Sequence, residues 1–339
     1  GAAGRRAGGD GGWEHRRVLV DIALLLGGLV ALTVGGEWLV RGASRLARAL
    51  GVSPLVVGLT VVSMATSAPE LAVSIGAALS GAAPLAVGNV VGSNTVNVLV
   101  VLGLAAVVAP VPVQRSVLRT DLPVVVGFSV LFLLLALDQR VGTVDGAVLV
   151  ALLAAYVTWT VRRERRSGGD GPADGELTPE PRPRPAARAV LRDLALVVVG
   201  TGSLVLGAEL LVRGATSIAA ELGVSELAIG LTVVAVGTSL PEVVTSVLAA
   251  ARGEHGIAVG NVLGSNLFNI GAVAGLTAVV APDGLPVTVP SLQLDLPVMI
   301  AAAVLLLPLA RTGGRITRLE GSLMLLAWAG YTTYLLAWA

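Results

Sequence analysis

The chain alternates between long apolar segments and short polar connections. Ten of the apolar segments are long enough to cross the hydrocarbon core of a bilayer as helices. This pattern predicts an all-α integral membrane protein with ten transmembrane helices. The predicted spans are 18–40, 52–79, 84–109, 122–137 and 143–161, then 190–212, 224–251, 256–281, 294–310 and 317–338.

A long internal repeat divides these spans into two groups of five. Residues 35–110 recur 172 positions later as 207–282, and 43 of the 76 positions are identical. Two similar halves that each cross the membrane an odd number of times must have opposite orientations. We therefore expect two inverted five-helix repeats, with a disordered tail and a cytoplasmic loop. The predicted units are the tail 1–17, the first repeat 18–161, the loop 162–189 and the second repeat 190–339.

Composition supports a membrane protein and narrows the chemistry. Hydrophobic residues make up 55% of the chain, charged residues only 13%, and the mean hydropathy is +0.86. A soluble protein of this length would need more charge to cover its surface. The chain has no cysteine and two histidines, which argues against disulfides and thiolate metal sites. We expect a lipid bilayer as its environment, no nucleic-acid partner, no cofactor and no enzymatic activity.

The basic residues are distributed unevenly between the predicted loops. All 23 are arginines, and 17 of them lie on the side of the central loop if ten spans alternate in direction. The positive-inside rule then places the central loop in the cytoplasm and both termini outside. The 17 are Arg41, Arg45, Arg48, Arg115, Arg119, the eight arginines within 162–192, Arg252, Arg311, Arg315 and Arg318.

Polar side chains recur within the second predicted span. Glu70 follows Thr66 by four residues and Ser67 by three, so the three side chains share a helical face. Pro69 has no N–H to donate and is expected to kink the helix, which frees carbonyl oxygens to line a cavity. The second copy is Thr238, Ser239, Pro241 and Glu242.

The third predicted span carries a polar stripe. Asn89, Ser93 and Asn97 are spaced by four residues and so lie along one helical face. The second copy is Asn261, Ser265 and Asn269.

Carboxylates, hydroxyls, amides and carbonyls without thiol or imidazole form a ligand set for hard cations such as Ca²⁺ or Na⁺. A single Thr, Ser or Asn in a membrane helix ordinarily forms interhelical hydrogen bonds. A charged residue at mid-bilayer costs about 2.5–3.5 kcal/mol on insertion scales, so two buried glutamates need compensation. Because the Glu, Pro and hydroxyl group occurs twice, we expect a cation site there.

Other matched charges have simpler interpretations. Glu37 precedes Arg41 by four residues, and Glu209 precedes Arg213 by four, which predicts a local ion pair in each half. Asp121 and Asp295 each precede Leu-Pro at a predicted helix start, where they are expected to act as caps. Asp21 has no assigned function.

Two blocks of sequence around these polar residues resemble the motifs of a known family. The first block is Gly58-Leu-Thr-Val-Val-Ser-Met-Ala-Thr66-Ser67-Ala-Pro69-Glu70, repeated at 230–242, and the second is Gly88-Asn-Val-Val-Gly-Ser93-Asn-Thr-Val-Asn97, repeated at 260–269. They resemble the α-repeats of the cation/Ca²⁺ exchanger superfamily, in particular prokaryotic Na⁺/Ca²⁺ exchangers. The resemblance implies a secondary antiporter in the plasma membrane of a prokaryote, exchanging Na⁺ for Ca²⁺ by alternating access. Oligomeric state is left open.

The resemblance also implies a ligand set around four central cation positions. Glu70 and Glu242 would be shared carboxylate ligands, and the first and sixth helices would slide across the remainder. The other implied ligands are Thr66, Ser67, Thr238 and Ser239, the carbonyls of Ser63 and Ala235, and Ser93, Asn97, Ser265 and Asn269.

One position departs from some relatives and bears on ion selectivity. Asn269 stands where some relatives have Asp, which in one branch is associated with potassium co-transport. Asn97 and Asn269 leave two carboxylates in the site, which favours potassium independence. Three Na⁺ against one Ca²⁺ would make exchange electrogenic.

Two other functions are compatible with paired intramembrane glutamates. One alternative is an H⁺/Ca²⁺ antiporter of the same superfamily. Those antiporters are similar to one another in having an acidic residue soon after Gly-Asn, at the place where this chain has Ser93 and Ser265. A cation channel could use the glutamates as a selectivity ring. Inverted repeats around a midplane site favour alternating access instead.

Overall fold

A computed structural model describes residues 10–166, 187–221, 235–311 and 313–338. The first half is a series of helices with two very short strands. The elements are α1 (Asp10–Leu50), α2 (Pro54–Val57), α3 (Ser63–Thr66), α4 (Ala68–Leu79), α5 (Ala83–Val96), α6 (Gly103–Val108), α7 (Leu122–Leu135), α8 (Thr143–Arg166), β1 (Val111–Pro112) and β2 (Arg140–Val141). The π-helical segments Gly58–Val62, Asn97–Leu102 and Val117–Asp121 lead into α3, α6 and α7.

In its described residues, the second half follows the same order. Its elements are α9 (Ala187–Glu221), α10 (Ala235–Thr238), α11 (Leu240–Ala251), α12 (His255–Phe268), α13 (Gly275–Val280), α14 (Leu296–Arg311), α15 (Arg318–Trp338), β3 (Leu285–Pro286) and β4 (Arg315–Ile316). The π-helical segments Asn269–Ala274 and Ser291–Asp295 lead into α13 and α14.

The helices confirm an all-α protein that crosses the membrane several times. Among the described residues, seven helical spans are long and apolar enough to cross a bilayer. The pair Pro54–Thr66 and Ala68–Leu79, bent by 41°, makes an eighth if it is one span. Of the predicted seventh span 224–251, residues 224–234 lie outside the described part of the chain.

Two spans form the centre of the protein. In the runs Ala83–Val108 and His255–Val280, 78% of the most apolar 18-residue window is buried, against 28% in the span of α1. The surface of α1 instead exposes apolar side chains such as Leu26 and Leu29. Apolar side chains left exposed on a spanning helix are suited to contact with lipid tails.

α1 and α9 pack against each other through backbone contacts at glycine. A Cβ at Gly28 would lie 2.8 Å from the carbonyl oxygen of Gly207, and one at Gly35 would lie 2.7 Å from that of Gly200. Small residues allow membrane helices to approach this closely. Because the repeat offset is 172, Gly28 in the first repeat corresponds to Gly200 in the second, and Gly35 corresponds to Gly207. Exchanging the two repeats therefore turns the Gly28–Gly207 contact into the Gly35–Gly200 contact. This reciprocal pattern is that of a two-fold related interface.

Two short antiparallel ribbons connect the halves, and the hydrophobic pattern does not predict them. In one ribbon Val111 pairs with Ile316, and in the other Val141 pairs with Leu285. The strands β1 and β2 lie on either side of α7 in the chain. The β1–β4 ribbon and the β2–β3 ribbon therefore lie at opposite ends of that helix.

The first helix is longer than predicted at both ends. It begins at Asp10, so residues 10–17 are helical and not part of a disordered tail, whereas 1–9 lie outside the described residues. Extending an existing helix costs little, since each added residue gains a hydrogen bond. The helix continues past residue 40 to Leu50 because Arg41, Arg45 and Arg48 lie on its exposed face. It ends before Gly51, whose φ of +66° favours glycine.

The central loop is shorter than predicted. Helix α8 continues to Arg166, and α9 begins at Ala187, so both ends of the predicted loop 162–189 are helical. Arg and Glu have good helix propensity, and arginines in the last turn of α8 suit the helix dipole. The remaining residues, 167–186, lie outside the described part of the chain.

Candidate cation site

The helix that carries Glu70 is interrupted at Ser67. This residue has φ −81° and ψ 2°, and it separates α3 from α4. Pro69 occupies the first turn of α4, where a missing N–H is tolerated, and leaves the carbonyl of Ala65 without its helical donor. The 41° bend confirms the predicted kink. Glu70 thus lies in the first turn of a new helix, where the helix dipole favours a negative charge.

The second repeat contains the same interruption. Ser239, with φ −89° and ψ 4°, separates α10 from α11. Pro241 and Glu242 then occupy the first turn of α11. Each repeat therefore places one carboxylate at the N-terminus of a broken helix.

The two carboxylates meet in the interior. Glu70 and Glu242 are both 0% exposed, and they lie close enough for their charges to interact. The hydroxyl of Ser239 faces Glu70 and that of Thr66 faces Glu242, but without the distance and angle of a hydrogen bond. Within the described residues, none of the four carboxylate oxygens has a hydrogen-bond partner. Two buried carboxyl groups in this state are neutralised either by a bound cation or by protonation.

Across the described ranges, further buried polar groups without partners lie on segments that pack against the helices bearing the glutamates. Asn97 and Asn269 are fully buried, and both amide atoms of each lack a hydrogen-bond partner in the described part of the protein. The hydroxyls of Ser67 and Ser239 are also buried without a hydrogen-bond partner in the described residues. Buried polar groups are rarely left unpaired, so these groups have the state expected of ligands.

A matched pair of hydrogen bonds holds the broken helices in place. The Asn89 side chain donates to Ser74 Oγ at 2.9 Å and to the Glu70 carbonyl at 3.2 Å. In the second repeat, Asn261 donates to Ser246 Oγ at 2.9 Å. The sequence predicted the asparagine stripe but not its serine partners. In both copies the serine follows the glutamate by four residues, so comparing the two repeats could have identified it.

Thr66 contributes a contact between the repeats. Its hydroxyl lies 3.1 Å from Asn261 Oδ1 and 3.3 Å from Ser265 Oγ. Ser265 is fully buried, and its counterpart Ser93 is 3% exposed. Thr238, the counterpart of Thr66, is the last residue of α10.

The two proposed carbonyl ligands lie one turn before the breaks. The Ser63 carbonyl accepts a hydrogen bond from the Ser67 N–H at 2.9 Å and a longer one from the Thr66 hydroxyl at 3.4 Å. The Ser63 hydroxyl donates to the Gly58 carbonyl at 2.5 Å. Ala235 begins α10 at the equivalent backbone position.

The composition of the site fits alkali and alkaline-earth ions. In the described ranges no three His, Cys, Asp or Glu side chains cluster as in a transition-metal site. Two carboxylates with amide, hydroxyl and carbonyl oxygens are the ligands that Ca²⁺ and Na⁺ prefer.

The predicted ion pairs near the ends of α1 and α9 are confirmed. Arg41 contacts Glu37, and Arg213 contacts Glu209. Glu37 also contacts Arg252, which joins α1 to the turn after α11. None of these residues belongs to the candidate cation site.

The prediction that Asp121 and Asp295 are helix caps is wrong. Each lies inside a continuous helical run, because a π-helical segment precedes α7 and α14. Asp121 accepts a hydrogen bond from Tyr156 Oη, and Asp295 accepts one from Tyr331 Oη, both at 2.7 Å. A tyrosine from the following helix therefore satisfies each carboxylate. Similarly, Asp21 accepts a 2.8 Å hydrogen bond from Ser217 Oγ.

Known proteins resemble this chain over most of its length. The profile of the sodium/calcium exchanger protein family matches residues 20–162 and 193–337. The chain is 38% identical to CaxA of Alkalimonas amylolytica, over 93% of this chain and 98% of that protein. It is 34% identical to the sodium/calcium exchanger MaX1 of Methanosarcina acetivorans, over 94% and 99%.

A solved structure supports the same assignment. The sodium-calcium exchanger NCX_Mj, soaked with zero Na⁺ and Ca²⁺, superposes with a TM-score of 0.80 at 32% identity, over 94% of this chain and 99% of that one. Both halves of the chain are thus covered by the family profile and by the structural match. The protein belongs to the sodium/calcium exchanger family.

Proposed function

We propose that this protein is a secondary antiporter that exchanges Na⁺ for Ca²⁺ through the site between Glu70 and Glu242. One observation carries the proposal: two fully buried carboxylates come from matched helix breaks, and no protein group in the described residues pairs with either of them. A site that is stable only when loaded with cations is suited to obligatory exchange, because the empty site is costly to move through the membrane. The relatives named as sodium/calcium exchangers support the choice of ions.

In this proposal the ligands come from both repeats. Glu70 and Glu242 bind the divalent ion, and neutral oxygens around them complete its shell and hold sodium. The neutral ligands are the hydroxyl or carbonyl oxygens of Thr66, Ser67, Thr238 and Ser239, the carbonyls of Ser63 and Ala235, and the side chains of Ser93, Asn97, Ser265 and Asn269.

Charge balance makes the exchange sensitive to voltage. The carboxylates contribute a charge of −2, which one Ca²⁺ neutralises. Three Na⁺ would leave the loaded site with one positive charge. Moving that charge across the membrane is worth about 2.3 kcal/mol per 100 mV. We therefore propose about three Na⁺ per Ca²⁺, with an inside-negative potential favouring Na⁺ entry and Ca²⁺ exit.

The proposed architecture is ten spans in two inverted five-helix repeats. The exchanged contacts at Gly28–Gly207 and Gly35–Gly200 support a two-fold relation. The ribbons support inversion, because β1 and β3 follow equivalent helices yet belong to ribbons at opposite ends of α7.

The arginine distribution supports a cytoplasmic loop between the repeats in a prokaryotic plasma membrane, with both termini outside. Cysteines at Ser167 and Gly313 should react only from the cytoplasmic side, and one at Gly142 only from outside. Labelling of 313 and 142 from the same side would contradict this topology.

Ion flux into proteoliposomes tests the function. Uptake of ⁴⁵Ca²⁺ should follow an outward Na⁺ gradient, and a pH gradient without Na⁺ should not drive it. With ion gradients fixed, a potential set by valinomycin and K⁺ should change the rate. Uptake driven by protons would establish an H⁺/Ca²⁺ antiporter, and uptake without any counter-ion would establish a channel. Exchange that ignores potential would establish electroneutral stoichiometry.

A further inference from the structure

A cavity of about 200 Å³ lies at the end of α1, away from the cation site. Five of its lining residues come from the last three turns of α1, and the other two come from the turn between α11 and α12. The lining is Val40, Arg41, Ser44, Arg45, Arg48, Arg252 and Glu254. Four arginines from two distant parts of the chain therefore line one small space.

The carboxylates around the cavity do not balance these arginines. Glu37 contacts both Arg41 and Arg252 and so supplies one negative charge for two positive ones. Asp193 lies 3.2 Å from Arg192 and 3.9 Å from Arg45, again one charge for two.

The remaining arginine has only indirect contact with a carboxylate. Arg48 donates to Ser44 Oγ at 3.2 Å, and Ser44 donates to Glu254 at 2.5 Å. In the described part of the chain, Arg48 has no ion pair of its own. With Arg192 included, five arginines lie beside three carboxylates, those of Glu37, Asp193 and Glu254. The cluster therefore has an excess of two positive charges.

The cavity lies where a membrane surface is expected. The preceding part of α1 exposes apolar residues, and Trp38, 38% exposed, lies one turn before Arg41. Tryptophan is enriched at the boundary between hydrocarbon and headgroups. The arginines therefore begin at headgroup depth, where clusters of four to eight attract anionic lipid.

The second repeat lacks this feature. Arg45 and Arg48 correspond to Ser217 and Ala220, and Arg252 and Glu254 correspond to Ser80 and Ala82. The repeats pack together with small residues at these counterpart positions, so packing alone does not require arginines there. The excess charge is specific to one face of the protein.

We propose that this cavity binds a phosphate group and that the bound phosphate links the end of α1 to the turn at 252–254. Guanidinium groups recognise phosphate with paired hydrogen bonds, and an excess of positive charge attracts its negative charge. Phosphate could be supplied by the headgroup of an anionic phospholipid or by a soluble phosphate. Both would bind the same arginines, and only the lipid would also contact the apolar surface beside Trp38.

The test measures the thermal unfolding midpoint of the purified full-length protein in a neutral detergent. It is titrated with short-chain phosphatidylglycerol, with phosphatidylcholine of the same chain length, or with inorganic phosphate. Phosphatidylglycerol should raise the midpoint, and phosphatidylcholine should not. An equal rise with inorganic phosphate would support the same site with a soluble ligand.

Two variants locate the effect. In Arg45→Gln/Arg48→Gln, the concentration giving half of the shift should increase, by about fivefold for each arginine lost if each contributes about 1 kcal/mol. Arg213→Gln is the matched control, because it removes the arginine that corresponds to Arg41 at the other end of the repeat pair. Each shift is compared with the same variant without ligand, so an altered starting stability does not matter. Equal responses of both variants and the wild type, or no response to either phosphate source, would overturn the proposal, whatever ions the protein transports.

Discussion

The surroundings of Glu70 and Glu242 are nearly the same, whereas the ends of α1 and α9 differ. Each glutamate follows a break at a serine, is fully buried and lacks a hydrogen-bond partner in the described residues. Each helix that bears one is held by an asparagine–serine hydrogen bond of 2.9 Å. At the end of α1, in contrast, a cluster of arginines has no counterpart in the second repeat.

This contrast separates two kinds of requirement. A transport site that opened to each side in turn would make similar demands on both halves, which agrees with the matched surroundings of the two glutamates. Membrane surfaces differ between the two sides in lipid charge and potential. Residues at the ends of the spans therefore have reason to differ between repeats. Substitutions that make the two copies less alike, or more alike, test this distinction.

The largest effect is expected from neutralising either carboxylate. Glu70→Gln or Glu242→Gln should lower Na⁺-driven ⁴⁵Ca²⁺ uptake by about 100-fold or more, because removing one charge of a buried ionic interaction costs about 3–5 kcal/mol. The two variants should be equally inactive if the repeats contribute equally. Both should still be recovered as folded protein, since a neutral amide is easier to bury than a charge.

Glu209→Gln is the control for these variants. Glu209 is 53% exposed and forms its ion pair at the surface, where such pairs contribute about 0–1 kcal/mol. Its uptake rate should stay near that of the wild type. Normal uptake by Glu70→Gln would place the central site elsewhere.

The next effect concerns potassium. Asn97 and Asn269 keep the site at two carboxylates, so wild-type exchange should run at the same rate with K⁺ or with an inert organic cation. Asn269→Asp adds a third carboxylate to one repeat only. The extra negative charge should slow exchange, because the ions that balanced two carboxylates no longer balance three. Asn97→Asp is the matched change in the other repeat, and strict K⁺ dependence of the wild type would refute the role given to Asn269.

The sequence indicated the two buried glutamates and the helix breaks beside them better than it indicated the ends of the helices. Thr66, Ser67 and Glu70 could be recognised because the repeat shows them twice and because hydroxyls and a carboxylate are unusual inside an apolar span. The helix ends could not be placed well, because arginines on one face of α1 are compatible with either a loop or a helix. Only packing shows which face is exposed.

Contacts between distant segments were also beyond the sequence pattern. Asp121 and Tyr156 are 35 residues apart, and neither hydropathy nor spacing indicates that their side chains meet. The same holds for the ribbons, whose strands have two residues each, too few for a periodic signal. Both features depend on how α7, α8 and the loops are arranged in space.

A smaller effect is expected from the tyrosines that satisfy the matched aspartates. Tyr156→Phe should destabilise the protein by about 1.5–3 kcal/mol, the range for a hydrogen bond to a charged group. Tyr331→Phe should cost less, because Tyr331 and Asp295 are only half-buried, whereas Tyr156 is 8% and Asp121 5% exposed. Thermal unfolding in detergent measures the order. A larger loss for Tyr331→Phe would contradict the link between burial and cost.

The smallest effect is expected from Ser63→Ala, which makes the first copy match the second at the position of Ala235. The Ser63 hydroxyl donates to the Gly58 carbonyl at 2.5 Å and lies 3.3 Å from the carbonyls of Gly260 and Asn261. Losing one such hydrogen bond should cost about 1 kcal/mol of stability. Transport should be retained, because the proposed ligand is the backbone carbonyl, which the substitution leaves in place.

Thr60→Ala is the control for this change. The Thr60 hydroxyl also bonds a carbonyl of its own helix, that of Val56 at 2.6 Å, and it is only half-buried. Ser63→Ala should therefore lower the unfolding midpoint more than Thr60→Ala, while both keep the Ca²⁺ dependence of uptake. A weakened Ca²⁺ dependence in Ser63→Ala alone would mean that the hydroxyl itself binds the ion. The two repeats would then differ at the cation site as well as at the ends of their helices.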